Sequence, residues 1–332
     1  MLKVGLIGCG FMGIMHAKCY NAIDGVEVKA VADLRPDKAA ECAVFTNADI
    51  YPDADALLQN ADVDIIDICL PTYLHTEFAL KAMDKVKYVF IEKPAALTAA
   101  EGDAMLEKSA ATSCNVQIGQ VIRFWDEYVQ LKKWVDEGTF GKVVNASFRR
   151  ISPTPEWGWN DWLRKPVFSG GASQDLHIHD VDFVLSLFGE PIRVASVHNT
   201  LGEGKSYIHT IMQYADFPVG VEGTWGLPPT FPFNASYRVC FEKATMEFDG
   251  GKLTKYDDNG VYPVEIEKLQ LAGGESGGNI SDLGAYYNEL KYFTDCAKAG
   301  TAPQKARLCD AVQSLKFVLN EIALGEIAGS DN

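Results

Sequence analysis

The stretch that most constrains the fold is a glycine-rich segment near the beginning of the sequence. Residues 8–13 read Gly-Cys-Gly-Phe-Met-Gly, and they follow a short apolar run and precede a helical pattern. An acidic residue, Asp33, stands 20 positions beyond Gly13. A strand, a G-x-G-x-x-G turn, a helix and a later carboxylate in this order predict a dinucleotide cradle. The alternative is an incidental glycine turn in an α/β fold.

Each part of this pattern has a physical role in such a cradle. Gly8 permits a tight turn, Gly10 lets the backbone approach a pyrophosphate, and Gly13 allows close packing of helix on strand. The helix N-terminus offers N–H groups and a positive dipole end to the phosphates. We therefore predict cofactor contacts from Gly8, Cys9, Gly10, Phe11, Met12, Gly13, Asp33, Leu34, Arg35, Pro71, Thr72, His75, Glu92 and Lys93.

Asp33 also bears on the choice of cofactor. A carboxylate at this position accepts hydrogen bonds from ribose hydroxyls and repels a 2′-phosphate, which favours NAD. NADP stays possible, because Arg35 is close enough in sequence to hold that phosphate. The alternative for Arg35 is a solvent-facing arginine at the start of a helix.

The fold class follows from the order of strand and helix patterns. Apolar runs at 2–7, 26–33, 63–70, 88–91 and 116–121 alternate with helical patterns. This alternation predicts a doubly wound parallel sheet, which binds ligands beyond the carboxyl ends of its strands. After residue 121, short β-type runs between turn signals predict a largely antiparallel sheet. We expect an α/β protein with a Rossmann domain at 1–121 and a second α/β domain at 122–332.

Composition excludes several classes of protein. The chain has 332 residues and a formal net charge of −15, so we expect neither nucleic-acid nor membrane partners. No apolar run reaches the ~18 residues that a membrane span requires. The eight cysteines contain no C-x-x-C pair, which favours reduced thiols and a cytoplasmic location.

A second group of chemical interest is Glu92-Lys93-Pro94, directly after the predicted strand at 88–91. Pro94 ends the strand and stiffens the turn, which places Lys93 at the carboxyl edge of the sheet. An ammonium there can hydrogen-bond a substrate hydroxyl and stabilise a developing alkoxide. The alternative is an ordinary surface turn.

A third group lies on a predicted helix at 173–188. Asp175, His179 and Asp182 stand at i, i+4 and i+7 and share one helix face. A carboxylate can fix the imidazole tautomer, so that the other ring nitrogen takes a hydroxyl proton. Asp175 could instead cap the helix, or the three could form a structural ion-pair patch. A metal site at His177-x-His179 would need extended backbone, and we predict none.

Three further residues are weaker candidates for ligand contacts. Arg123 follows the last Rossmann strand and either touches a ligand or forms a salt bridge. His75 either borders the nicotinamide or simply begins a helix. Trp162 either stacks on a sugar ring or packs in the core.

The ordered combination of these motifs resembles the glucose-fructose oxidoreductase / inositol dehydrogenase (Gfo/Idh/MocA) family. The match includes the glycine turn, Glu92-Lys93-Pro94, the run at 121–124, and Gly170-Gly171 before the Asp175, His179 and Asp182 helix. His177 is a departure, because many members carry glycine there.

The resemblance implies residue roles and an assembly. Lys93 would orient the substrate, His179 would be the general acid or base, and Asp175 its partner. Asp182 would bind a hydroxyl of the substrate, which the resemblance implies is a sugar, an inositol or a related polyol. Arg123 and Trp162 stay candidates for contacts with the same substrate. The open-faced second sheet would form a homodimer or homotetramer.

We therefore expect an NAD(P)-dependent oxidoreductase that transfers a hydride between a secondary alcohol and nicotinamide. Two alternatives stay open. One is redox-neutral glycoside cleavage or epimerisation with tightly bound NAD. The other is a non-catalytic nucleotide-binding sensor.

Overall fold

Two units make up the part of the chain that the computed structural model describes, namely residues 1–202, 204–267 and 284–329. The first unit contains residues 1–124 and 284–313. The second contains 125–202, 204–267 and 314–329.

The first unit is built on a parallel sheet in the strand order β3-β2-β1-β4-β5-β6. Its strands are β1 (Leu2–Ile7), β2 (Val26–Ala32), β3 (Asp49–Tyr51), β4 (Ile65–Ile68), β5 (Tyr88–Ile91) and β6 (Asn115–Ile118). This order is that of a dinucleotide-binding doubly wound sheet, and it confirms the predicted fold class. The sequence patterns did not predict β3, whose three residues are too short to show a period.

Helices connect the strands of this sheet. They are α1 (Phe11–Asn21), α2 (Pro36–Thr46), α3 (Ala54–Asn60), α4 (His75–Lys85) and α5 (Ala99–Thr112). At α5, the Thr98 hydroxyl accepts from the Glu101 N–H, and the Glu101 carboxylate accepts from the Thr98 N–H. This reciprocal capping box satisfies two of the N–H groups that a helix end leaves open.

The second unit is built on a mixed sheet in the order β14-β13-β12-β11-β7-β10-β9-β8. Its strands are β7 (Val143–Pro153), β8 (Arg193–Gly202), β9 (Lys205–Gln213), β10 (Pro218–Leu227), β11 (Asn234–Phe241), β12 (Thr245–Asp249), β13 (Lys252–Asp257) and β14 (Gly260–Pro263). Neighbours are antiparallel except β7 and β10, which run parallel. The prediction of a largely antiparallel sheet is therefore confirmed.

Three helices accompany this sheet: α6 (Asp126–Glu137), α7 (Pro166–Ser169) and α8 (Ile178–Phe188). Aromatic rings join α6 and α8 to one sheet face. The ring of Tyr128 on α6 lies 4.9 Å from that of Phe183 on α8 and 5.2 Å from that of Tyr237 on β11. The side chains on the opposite face include the exposed residues Val197 and Ile211.

After the second sheet the chain returns to the first unit. On α9 (Gly284–Ala299), Leu290 and Phe293 are fully buried in the same core cluster as Leu6 and Phe90. The rings of Phe293 and Phe90 lie 5.5 Å apart. This packing places residues 284–313 in the first unit, whereas we had expected all of 122–332 in the second domain. The last helix, α10 (Leu308–Gly329), contributes its later residues to the second unit.

Candidate active site

The glycine turn has the geometry that its sequence predicts. Gly8 has a φ of +94°, and a Cβ there would lie 2.5 Å from the carbonyl oxygen of Cys69. A Cβ at Gly13 would overlap the carbonyl oxygen of Gly8. At Gly10, by contrast, the nearest atom to an added Cβ is Nη2 of Arg35, at 3.6 Å. The protein's own packing therefore requires glycine at positions 8 and 13, while Gly10 keeps space open beside the helix N-terminus.

Asp33 and Arg35 form a closed pair beside this turn. The Asp33 carboxylate accepts from the N–H of Cys9 (2.8 Å) and from the N–H, Nε and Nη2 of Arg35 (2.8, 2.9 and 2.9 Å). Burial would raise the pKa of Asp33, but the hydrogen bonds from Arg35 and Cys9 outweigh it and lower that pKa. Asp33 is thus ionised, and Arg35 occupies the oxygens that ribose hydroxyls would use.

Two buried polar groups at the carboxyl edge of the first sheet lack partners within the described residues. They are the Thr72 hydroxyl, after β4, and the Gln120 side-chain amide, after β6. A buried polar group without a hydrogen bond costs about 1–3 kcal/mol, so a polar ligand at this edge would stabilise both. Together with the space at Gly10, these groups fit a dinucleotide. Gln120 was not among the predicted contacts.

The Glu92-Lys93-Pro94 turn is held by two buried imidazoles. The Lys93 N–H donates to Oε2 of Glu92 (3.1 Å), and the Lys93–Pro94 peptide bond is cis. Nδ1 of His75 lies 2.8 Å from the Pro94 carbonyl oxygen, and its Nε2 lies 2.8 Å from that of Leu70. Burial lowers the pKa of His75, so the neutral ring donates to one of these carbonyls at a time.

The second imidazole is His16 on α1, which the sequence reasoning missed. Its Nε2 lies 3.1 Å from Oε1 of Glu92, and its Nδ1 lies 2.8 Å from Oδ2 of Asp67 and 3.2 Å from Sγ of Cys69. All of these residues except Cys69 are buried. The available signal was Asp67 itself, a carboxylate in the otherwise apolar strand β4.

Arg123 forms a salt bridge in this structure, which was one of the two roles expected for it. Its Nη1 lies 3.5 Å from Oδ2 of Asp310, which also accepts from Arg307. The pair lies within the first unit. A contact of Arg123 with substrate therefore stays a prediction.

The predicted catalytic helix lies in the second unit and begins with an irregular turn. Residues Ser173–His177 form a π-helical turn that leads directly into α8. Asp175, His179 and Asp182 are all buried, and Oδ1 of Asp182 accepts from the Ser314 hydroxyl (2.9 Å). The N-cap position belongs to Ala172, so the alternative in which Asp175 caps the helix is wrong. Single π-turns occur frequently at functional sites.

His177 and Asp180 belong to other buried pairs. Nε2 of His177 lies 3.2 Å from Oε2 of Glu321, and Asp180 forms an ion pair with Arg150 at 2.8 Å. Gly223 provides the space for His177, because a Cβ there would lie 2.6 Å from the Cβ of His177. The backbone at 177–179 is helical, so the extended geometry that a His177-x-His179 metal site needs is absent from these residues.

Trp162 packs against a small core cluster. The cluster consists of Leu163, Ala172, Leu176 and Trp225. This supports the core-packing alternative for Trp162, while Trp157 and Trp159 are exposed.

The fold and the glycine turn define the class of proteins with a dinucleotide-binding Rossmann domain and a second α/β unit. Residues 2–120 match a family model described as "Oxidoreductase family, NAD-binding Rossmann fold". Residues 128–247 match the "GFO/IDH/MocA C-terminal domain". The chain therefore belongs to the Gfo/Idh/MocA oxidoreductase family, and its first unit is an NAD-binding domain.

Relatives within the family include two inositol dehydrogenases. Myo-inositol 2-dehydrogenase from Thermotoga maritima is 31% identical over 194 residues, which are 58% of this chain and 56% of that enzyme. Scyllo-inositol 2-dehydrogenase (NAD(+)) from Bacillus subtilis is 26% identical over 315 residues, or 91% and 88% of the two chains. The chain thus spans little more than half the length of the first of these relatives.

A solved structure supports the fold. Levoglucosan dehydrogenase in complex with NADH and levoglucosan superimposes with a TM-score of 0.82 over 97% of each chain, at 20% identity. Within the described residues, no helix combines the length and the apolar character that crossing a membrane requires. The eight cysteines all lie within the described residues, and none of them forms a disulfide there.

Proposed function

We propose that this protein transfers a hydride between a secondary alcohol of a sugar, an inositol or a related polyol and NAD. NAD, when bound, supplies a nicotinamide ring that exchanges a hydride with the carbinol carbon. The observation that carries the proposal is the buried set of Asp175, His179 and Asp182 on one helix, in a chain whose first unit is an NAD-binding domain. The names of the two inositol dehydrogenase relatives support the choice of substrate class.

In this proposal the chain's own residues handle the proton and the oxygen. His179 takes the hydroxyl proton during oxidation and returns it during reduction. Asp175 orients the imidazole and stabilises its protonated form. Lys93 donates to the substrate oxygen and stabilises alkoxide character. Asp182 binds a further hydroxyl, in addition to its hydrogen bond with Ser314.

Residues of the first unit would hold the cofactor. Backbone N–H groups at the start of α1 would hold the pyrophosphate, because Gly10 leaves space beside the helix N-terminus. Thr72 and Gln120 offer buried hydrogen-bonding groups at the carboxyl edge of the sheet. Asp33 accepts from the adenosine ribose once Arg35 has moved aside.

Substitution of His179 tests the assignment. We expect His179→Ala to lower kcat by ~10²–10⁴, the usual size of a general acid–base contribution, with unchanged NAD affinity. Calorimetric titration of the variant with NAD is the control, because an unchanged affinity shows that the substitution has not disturbed the first unit. Unchanged turnover in His179→Ala would remove His179 from the mechanism.

We also propose that the protein is a cytoplasmic homodimer or homotetramer. Free thiols are usual in a reducing compartment, which supports the location. The exposed face of the second sheet carries apolar side chains, with Val197 64% and Ile211 52% exposed. Charges of both signs accompany them, namely Arg149, Arg238, Glu222 and Glu247. Such a face can pair with a copy of itself.

A further inference from the structure

A buried charged network lies beneath the Glu92-Lys93-Pro94 turn. It joins helix α1, through His16, to strand β4, through Asp67, and to the turn after β5, through Glu92. His16 and Asp67 are fully buried, and Glu92 is 6% exposed. Neither the fingerprint nor the proposed proton transfer uses this network.

The contacts of His16 determine its protonation state. Each ring nitrogen lies at hydrogen-bonding distance from a different carboxylate, at 2.8 Å from Asp67 and 3.1 Å from Glu92. Carboxylate oxygens are hydrogen-bond acceptors, so the two contacts match a ring in which both nitrogens donate. Two buried carboxylates without a counter-charge would be strongly unfavourable, and an imidazolium between them compensates one full charge.

We propose that His16, as an imidazolium, is a positioning residue for Lys93. It ties Glu92 to Asp67 on the central strand β4, and Glu92 in turn accepts the Lys93 N–H through Oε2. The base of the Lys93 side chain is thereby fixed to the sheet. This role rests on the proposed function, in which Lys93 contacts the substrate oxygen.

Groups on every neighbouring element act on His16. Tyr20 on α1 is buried near Asp67, and burial and that charge raise its pKa. Cys69 follows β4, and its thiol lies 3.5 Å from Oδ1 of Asp67. From α9, the Tyr286 ring lies 6.3 Å from the His16 ring. Burial alone would lower the pKa of His16, but Cys69 and Asp67 outweigh it and raise that pKa.

The protonation state can be measured without any substrate. We would record the ring ¹⁵N signals of the six histidines by NMR in the full chain and assign His16 with a His16→Asn variant. We expect His16 to retain both ring protons at about pH 8, above the ordinary histidine pKa of ~6.5. A neutral ring at that pH would overturn the proposal. So would one equivalent of tightly bound zinc in the purified protein, because Nδ1 of His16 would then be a ligand.

The positioning role is tested by amide hydrogen exchange at Lys93. In His16→Asn we expect the Lys93 amide to exchange about tenfold faster or more, while amides of β1 keep their protection. Equal acceleration throughout the first unit would show a general structural role and overturn the proposal. Tyr20→Phe is the control, since it keeps both His16 contacts and should leave the Lys93 amide unchanged.

Kinetics then distinguish this inference from the proposed function. With a substrate in hand, His16→Asn should lower kcat ~10–100-fold, as loss of an orienting partner does, with NAD affinity unchanged. If the protein transfers no hydride while the NMR and hydrogen-exchange experiments give the expected results, the proposed function is wrong, and the role of His16 in positioning Lys93 is supported. If hydride transfer is intact in His16→Asn, only the positioning role fails.

Discussion

We propose that Asp33 and Arg35 together determine whether this chain binds NAD or NADP. A carboxylate has about four acceptor sites, and the Cys9 N–H and three donors of Arg35 occupy Asp33 in the absence of cofactor. In this proposal NAD would displace Arg35 from Asp33, whereas the 2′-phosphate of NADP would attract Arg35. Two side chains two positions apart thus have opposite effects on the two cofactors.

The first prediction separates these effects. Arg35→Ala should tighten NAD binding by about two- to fivefold, because it removes a competitor worth ~0.5–1 kcal/mol, and should weaken NADP binding. Asp33→Ala is the comparison. We expect it to weaken NAD binding and to reduce the difference in affinity between NAD and NADP. Calorimetric titration of each variant with both dinucleotides measures this. Identical changes for both cofactors in Arg35→Ala would contradict the account.

The raised pKa of His16 predicts a pH dependence of stability. A group whose pKa is raised by folding contributes stability below its unfolded pKa, and the contribution is lost as pH rises through the folded pKa. The Tm difference between the wild type and His16→Asn should therefore be largest at or below the ordinary histidine pKa of ~6.5 and should shrink as the pH rises above it. If the Tm difference between the wild type and His16→Asn instead grew with pH, the conclusion that His16 is an imidazolium would be wrong.

Single residues were predictable where their role is local in sequence. Asp33 and the glycines were found because turn, helix start and carboxylate stand at fixed spacings. His16 was missed because its partners, Asp67 and Glu92, lie 51 and 76 positions away. The pairing of His177 with Glu321, 144 positions apart, was missed for the same reason.

At the scale of elements, two glycines of the same turn are expected to have different roles: Gly13 in the stability of the fold and Gly10 in NAD binding. Gly13→Ala should destabilise the chain by about 1–3 kcal/mol or more, because its Cβ overlaps backbone that cannot move away easily. Gly10→Ala should leave Tm nearly unchanged, because its Cβ meets only Arg35, at 3.6 Å. It should nevertheless weaken NAD binding, since a Cβ there obstructs the pyrophosphate. Tm and calorimetry on both variants check this, and equal losses of stability would contradict it.

Elements with clear periodicity or clear boundaries were predicted within a few residues. The strand at 88–91 ends at Ile91, directly before Glu92-Lys93-Pro94, and the helix after Thr98 begins at its capping box. The π-turn at Ser173–His177 was not predictable, because a helical pattern does not show one extra residue in a single turn. Nor were β3 and β14, which have three and four residues.

At the scale of the whole molecule, the order of segments along the chain differs from their order in space. The sequence suggested one boundary near residue 121, yet 284–313 joins the first unit. The reason is the apolar face of α9, where Leu290 and Phe293 complete a core that β1 and β5 begin. Hydrophobic periodicity showed a helix there but could not show which sheet it covers.

The exposed face of the second sheet carries the prediction about assembly. If it pairs copies of the chain, Ile211→Asp should shift the protein toward monomer, because the substitution buries an unpaired carboxylate in each interface. Sedimentation velocity on wild type and variant measures this. Val44→Asp, at an exposed site in the first unit, is the control. A wild-type monomer would contradict the assembly.

The activity proposed for this protein is hydride transfer to NAD from a sugar or cyclitol alcohol. The most direct measurement is the absorbance of NADH when purified protein, NAD⁺ and each of a panel of inositols and sugars are mixed. We expect net NADH formation with at least one member of the panel, and none in His179→Ala. Substrate consumption with retained NAD and no net NADH would contradict the claim and favour redox-neutral chemistry, and NAD binding with no turnover of the panel would favour a sensor.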